Sequence, residues 1–132
     1  MEKNKIEYAC TVMISGKIEK VSELFLQHMI MSKTKEVNTS FEFEYPVNET
    51  TKLMMKETIE SNNLPDDITL IYEISGVYNR CVNIFEVVGK NVKYTMECEF
   101  VFDHPNTVAK ETFIESSQNQ IEHFKNIVEN NE

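Results

Sequence analysis

The sequence predicts an α+β fold in which a strongly curved antiparallel sheet of six to seven strands wraps around a long C-terminal helix. Three observations predict it. Asp67 to Phe102 reads as three strands joined by two tight glycine turns. Shorter alternating runs precede this meander. After Phe102 the apolar spacing changes from a period of two to that of a helix, and keeps it to about Asn130.

Lys5 to Ile14 is the first strand, with Ile6, Tyr8, Cys10, Val12 and Ile14 on one face. Ser15-Gly16 ends it. Lys17 to about Met31 has Ile18, Val21, Leu24, Phe25, His28 and Met29 at helical spacing, with Ser22 and Glu23 toward solvent. Ser32 to Ser40 is polar and carries no clear period. Phe41 to Tyr45 ("FEFEY") alternates and is a strand that Pro46 stops. Lys52 to Ser61 follows, with Leu53, Met55, Glu57 and Ile59 on one face and Met54, Lys56, Thr58 and Glu60 on the other.

In the meander, Ile68, Leu70, Tyr72 and Ile74 share a face, as do Tyr94, Met96, Cys98, Phe100 and Phe102. Gly76-Val77 and Gly89-Lys90 suit two-residue type II′ turns. Counting back from them pairs Ile74 with Asn79 and Tyr72 with Cys81. The second turn pairs Asn79 with Phe100, Cys81 with Cys98, Asn83 with Met96, and Phe85 with Tyr94. Asn79, Cys81, Asn83, Phe85 and Val87 then face inward, and Arg80, Val82, Ile84 and Glu86 outward. "DHPNT" breaks the sheet. Asn106 or Thr107 caps the terminal helix, whose apolar positions are Val108, Phe113, Ile114, Ile121, Phe124, Ile127 and Val128, with the small Ser117 on the same stripe.

A length of 132 residues suits a single domain over 1–132, and 41% hydrophobic with 27% charged residues is ordinary for a globular chain. The net charge of −9 argues against nucleic acid or an anionic membrane as the main partner. No apolar run is long enough to span a bilayer, and "MEKNKIEYAC" lacks the apolar segment of a signal peptide, so the expected location is cytoplasmic. Three cysteines without C-x-x-C spacing fit reduced thiols.

These elements resemble the START-like superfamily (SRPBCC, the helix-grip or polyketide cyclase/dehydrase and lipid transport family). The local match is best to its small bacterial members of unassigned function. The resemblance rests on "YACTVMI", "KVSELF", "KETIESNNLPDDITLIYEISGVYNR" and "FEVVGKNVKYTMECEFVF", with weaker support from "QIEHFKNIVE". It covers most of the chain from Ile6, with a gap in the middle. Between His28 and Phe41 such proteins usually carry a second short helix, a further strand and often a tryptophan at the cavity mouth. This chain has no Trp and a short segment there, from Met29 to Ser40. An abbreviated seventh strand is expected near Glu36 to Thr39, with a reduced lid.

The first reading is binding of an apolar small molecule (a lipid, sterol or polyketide) between the sheet and the C-terminal helix, without catalysis or cofactor, by a monomer or homodimer; the resemblance itself is specific for fold and covers carriers, sensors, cyclases and chaperone cofactors alike. The expected lining is Tyr8, Met55, Tyr72, Asn79, Asn83, Phe85, Tyr94 and Met96 from the sheet, and Phe113, Ser117 and Ile121 from the helix. The inward polar groups Glu57, Tyr72, Asn79, Asn83 and Tyr94 either orient a ligand or satisfy one another. Glu57, the only inward carboxylate, is the candidate acid or base if the chain is instead a cyclase or dehydratase. A third reading is a protein-interaction module related to chaperone cofactors, docking a partner on the outer face or on Phe41 to Tyr45.

Cys81 and Cys98 are predicted cross-strand neighbours. Cys10 joins them if the first strand pairs with the last, as the resemblance implies, but three strands of one sheet converge poorly on a tetrahedral ion, and small apolar filler is the plainer role. His28, His104 and His123 show no metal-ligand spacing. Seven methionines, including Met54-Met55, Met29 and Met31, suggest an adaptable lining or ordinary core filling.

Overall fold

The computed structural model describes residues 4–32, 36–46 and 48–131. In chain order they form β1 (Lys5–Ser15), α1 (Ile18–His28), β2 (Ser40–Pro46), β3 (Lys52–Asn63), β4 (Asp67–Ile74), β5 (Val77–Val88), β6 (Asn91–Phe102) and α2 (Lys110–Glu129). The strands make one antiparallel sheet in the order β1-β6-β5-β4-β3-β2. β1 closes the edge beside β6, with Ile6 opposite Phe100 and Cys10 opposite Met96.

The alternation sets the buried face throughout. Along β1, Ile6, Cys10 and Ile14 are buried while Glu7, Thr11 and Met13 are exposed. Along β6, Val92, Tyr94, Met96, Cys98 and Phe102 are buried. The β5–β6 hairpin has the predicted register: Asn79 opposite Phe100, Cys81 opposite Cys98, Asn83 opposite Met96, and Phe85 opposite Tyr94. Gly89 leads its two-residue turn at φ 62°, in the left-handed region that glycine enters without strain.

The β4–β5 register differs from expectation. Ile74 pairs with Val77, Tyr72 with Asn79, and Leu70 with Cys81. The two turn residues are Ser75 and Gly76, with Gly76 second at φ 76°, so the pairing slides by two. A slide of two keeps every side chain on its predicted face, whereas a slide of one inverts the strand. Val87 is also misplaced by the sequence: it is 63% exposed. β4 pairs with β5 only as far as Ile84, so beyond it the tip of β5 has β6 alone beside it.

Between β3 and β4 the register shifts between Ile59 and Ser61, leaving Glu60 as the extra residue of a β-bulge. A bulge of this kind bends a strand and increases its twist. The outer face holds Glu60 through Arg80, whose Nε and Nη2 donate to the carboxylate at 3.1 and 2.6 Å. No seventh strand forms among the described residues: 36–39 is a turn, with Asn38 at φ 67° and its amide donating to the Ile59 carbonyl at 2.7 Å. Asparagine tolerates that conformation better than most residues.

Both helices start and end inside the predicted limits. The N-cap of α2 is Ala109 rather than Asn106 or Thr107. The Asn106 side chain instead folds onto Val108, accepting from its amide at 3.1 Å and donating to its carbonyl at 2.7 Å. That local turn competes with helix and leaves Val108 exposed outside it. α2 buries Ser117, Ile121, Phe124 and Val128 against the sheet. Its flank also satisfies the free edge of β1. Lys125 Nζ donates to the Met13 carbonyl at 2.8 Å, and the Ser15 amide donates to Glu129 at 2.9 Å. Covered edges of this kind resist pairing with other chains.

α1 buries Val21, Ser22, Leu24 and Phe25. Ser22, expected in solvent, turns its hydroxyl back to the Glu19 carbonyl at 3.0 Å, which lets a small polar residue sit in the interface. Phe25 is the keystone of this end of the molecule. Its ring stands edge-on to Phe85, Tyr94 and Phe124, with centroids 5.5, 6.0 and 5.6 Å away. Such aromatic contacts add about 0.5–1.5 kcal/mol each beyond the area they bury. One half of the space between sheet and helix is therefore packed solid.

Candidate functional site: a cavity under the first turns of the terminal helix

The other half is not filled. A cavity of about 450 Å³ lies beneath the N-terminal half of α2, bounded by β1, β2, the strands between them and the segment after α1. Leu70, Cys81, Asn83, Met96 and Cys98 form its buried floor. Phe113, Ser116, Ser117 and Gln120 roof it. Met31 and Tyr45, 52% and 47% exposed, stand at the mouth.

Of the residues expected to line it, Tyr8, Met55, Tyr72, Asn79, Asn83, Met96, Phe113 and Ser117 do. Phe85, Tyr94 and Ile121 do not: they belong to the solid half, completely or nearly completely buried in the core that Phe25 completes. Met29 and Met31, read from the sequence as adaptable lining or core filling, do line it, whereas sequence reasoning missed Phe43, Tyr45, Cys81 and Cys98 as lining. The signal for Phe43 and Tyr45 was present in "FEFEY": they face the same way as their partners Met55 and Leu53 on β3.

The buried polar groups of the wall are spent within the protein. Tyr94 donates to Asn83 Oδ1 at 2.6 Å, and Asn83 Nδ2 donates to the Ile68 carbonyl at 3.3 Å. Asn79 Nδ2 donates to the Glu99 carbonyl at 3.1 Å, and its Oδ1 accepts from the Cys81 thiol at 3.2 Å. Tyr72 donates to Glu57 at 2.9 Å. Among the described residues, no buried side-chain nitrogen or oxygen lacks a partner. Burial pushes the Tyr72 and Tyr94 phenols well above their usual range, and the Glu57 carboxylate adds to the effect at Tyr72. Both remain neutral donors.

Glu57 is fully buried but does not line the cavity. It accepts from the amides of Ser32 at 2.8 Å and Met31 at 3.1 Å, besides Tyr72. The carboxylate thus ties the segment after α1, and with it one lip of the mouth, to the middle of the sheet. His28, His104 and His123 are exposed and outside the lining.

A different group of side chains meets at the floor. Cys81 and Cys98 lie opposite each other with sulfurs 3.8 Å apart. Tyr8 and Ser117 share a hydrogen bond of 2.7 Å, and Ser117 Oγ is 4.0 Å from Cys98 Sγ. The Cys81 thiol beside it holds Cys98 below the usual thiol range; burial opposes this, and Tyr8 and Ser117 assist. The same contact, with burial, pushes Cys81 well up. Burial likewise raises the Tyr8 phenol. Cys10 stays apart, donating to the Ile114 carbonyl at 3.7 Å.

A curved antiparallel sheet with a long C-terminal helix packed across it defines the helix-grip class of fold. Solved structures share the arrangement. Protein CV1439 of Chromobacterium violaceum superposes with a TM-score of 0.76 at 11% identity, over 98% of this chain and 99% of its own. Ara h 8.0201 does so with 0.73 at 9%, over 94% and 95%. TTHA0849 of Thermus thermophilus gives 0.62 at 14%, over 92% and 96%. At such identities the likeness is one of fold. Compared by sequence, the chain matches no family model and no curated protein. Among the described residues, no helix is long and apolar enough to cross a membrane.

Proposed function

We propose that this chain is a START-like binding protein that holds an apolar small molecule, of lipid, sterol or polyketide type, in the cavity between the sheet and α2, without transforming it by acid–base chemistry. One observation carries the reading. The cavity of about 450 Å³ has a floor whose buried polar groups are bonded within the protein, so the surface it offers a guest is mainly apolar, with Ser116 and Gln120 of the roof as exposed polar side chains. Ligand sites typically enclose about 300–1,000 Å³ and are lined mostly by apolar and aromatic side chains. Apolar burial contributes about 25 cal/mol per Å². Four methionines, Met29, Met31, Met55 and Met96, give the walls adaptable shape.

The acid–base reading of Glu57 has less support. Both carboxylate oxygens are occupied by protein donors, and the group lies outside the cavity wall. The test of the binding reading is thermal melting with fatty acids, sterols and aromatic polyketides. A ligand at about a hundred times its Kd adds about 2.7 kcal/mol, or about 10 °C in a domain of this size. No shift with any of them would contradict the reading.

A further inference from the structure

We propose that Cys98 and Cys81 form a nucleophile and resolving-thiol pair that reduces an apolar organic hydroperoxide admitted to the cavity. The proposal rests on the binding reading for its substrate class and adds a redox reaction to it.

The register brings the two thiols together. Val88 and Asn91 close a two-residue hairpin, so they are a hydrogen-bonded pair, and pairs alternate from there. Cys81 and Cys98 lie an odd number of residues back, which makes them a non-hydrogen-bonded pair. Their Cα atoms are then about 4.5 Å apart. That spacing falls within the reach of a disulfide, about 4.4–6.8 Å. Rotation of the two side chains, with sulfurs now 3.8 Å apart, closes the remaining gap.

The surroundings supply the rest. Both thiols line the cavity floor, so a guest meets them directly. Tyr8 and Ser117 carry two hydroxyl protons, and the 2.7 Å bond between them uses one. The second is available beside Cys98 for a leaving oxygen. The Tyr8–Ser117 hydroxyl pair stands beside Cys98, with Ser117 Oγ 4.0 Å from its sulfur, and this placement gives Cys98 the attacking and Cys81 the resolving role; the lowered Cys98 thiol agrees with it. A low-pKa thiol with access to its oxidant and a resolving cysteine beside it is the arrangement that oxidises reversibly. Small apolar filler needs neither a facing thiol nor a cavity in front of it.

In the first step the Cys98 thiolate attacks the terminal oxygen of ROOH. An S–O bond forms, the O–O bond breaks, and the alkoxide leaves as ROH with a proton from the Tyr8–Ser117 hydroxyl pair, which regains the proton that Cys98 released. Cys98 is now a sulfenic acid. Cys81 sulfur attacks Cys98 sulfur, the S–S bond forms, the S–O bond breaks, and hydroxide leaves as water with the proton of Cys81. The sum is two thiols and ROOH giving a disulfide, ROH and water. Two equivalents of a low-molecular-weight thiol restore the pair by exchange and leave as their own disulfide.

The test treats the reduced protein with equimolar cumene hydroperoxide or hydrogen peroxide and follows intact mass and peptide maps. The expected result is a loss of two hydrogens, a link between Cys81 and Cys98, and a rate at least about tenfold higher with the apolar peroxide, which the cavity positions. Cys81→Ser is expected to stop at a sulfenic acid on Cys98 that dimedone traps. Cys98→Ser is expected to be inert, and Cys10→Ser to behave as the parent, each folded by circular dichroism. No loss of hydrogens, oxidation centred on Cys10, or equal rates with both peroxides would overturn the proposal. If apolar ligands still raise the melting temperature in that event, the binding reading stands and only the thiol chemistry falls.

Discussion

Replacing Glu57 with Gln tests whether the lip of the cavity is pinned by one buried carboxylate. The carboxylate accepts from Ser32 N, Met31 N and Tyr72 Oη at 2.8, 3.1 and 2.9 Å. Glutamine keeps one acceptor oxygen. Its best orientation leaves that oxygen on Met31 and Tyr72 and turns the amide nitrogen toward the Ser32 amide, donor against donor. The Ser32 amide then faces a donor where this acceptor stood, at about 1–3 kcal/mol. The two surviving bonds lose their charge assistance, at about 0.5–1 kcal/mol each. Relief from burying a charge offsets part of this. The net expectation is about 2–3 kcal/mol, or about 10 °C in melting temperature. Urea unfolding measures it, and amide exchange localises it: Met31 and Ser32 should exchange faster while the amide of Tyr94 is unchanged. A loss under about 0.5 kcal/mol, or uniform exchange, would refute the pinning argument.

Three further outcomes follow from the same coordinates. Gly76→Ala places a Cβ 2.7 Å from Asp103 Oδ1 at φ +76° and is expected to cost about 1–2 kcal/mol by thermal melting. Ser116→Trp adds bulk to an exposed position of the cavity roof; it should keep the melting temperature and weaken binding of an apolar probe by about tenfold in a fluorescence titration. The Arg80 guanidinium lowers the Glu60 carboxyl below its ordinary 4.5. A depressed folded value means the stabilisation is present above pH 4.5 and is lost as pH falls through the lowered value. The pair is over a third exposed, so Glu60→Gln should remove only a shallow acid slope, under about 1 kcal/mol, in urea titrations across that range.

Much of the fold was legible because period two and period 3.6 are set by backbone geometry. Every strand and both helices could be read from them. The register of β5–β6 was legible because Gly89 does take the first turn position, which the count assumed. That of β4–β5 was not, because Gly76 also fits the second turn position and both choices keep the same faces. The site was half legible. Alternation says which side chains face inward, and it found Tyr8, Tyr72 and Asn83 on the wall. It does not say which part of the inner face another element fills. Phe25 reaches into the sheet through contacts with Phe85, Tyr94 and Phe124, far apart in the chain, and that packing decides where space remains. The pairing of Cys81 with Cys98 was readable from the turn count, but their meeting with Ser117 depended on the position of α2.

The central claim is that the space beneath α2 takes up an apolar guest, and the methionine methyls report on it directly. Met29, Met31, Met55 and Met96 line the cavity, whereas Met13 and Met54 are exposed outside it. In a methyl-labelled sample titrated with a fatty acid, sterol or aromatic polyketide, the account predicts that the four cavity resonances shift together and saturably while Met13 and Met54 stay in place. Shifts confined to Met13 and Met54, or none at the four with any of these ligands, would contradict it.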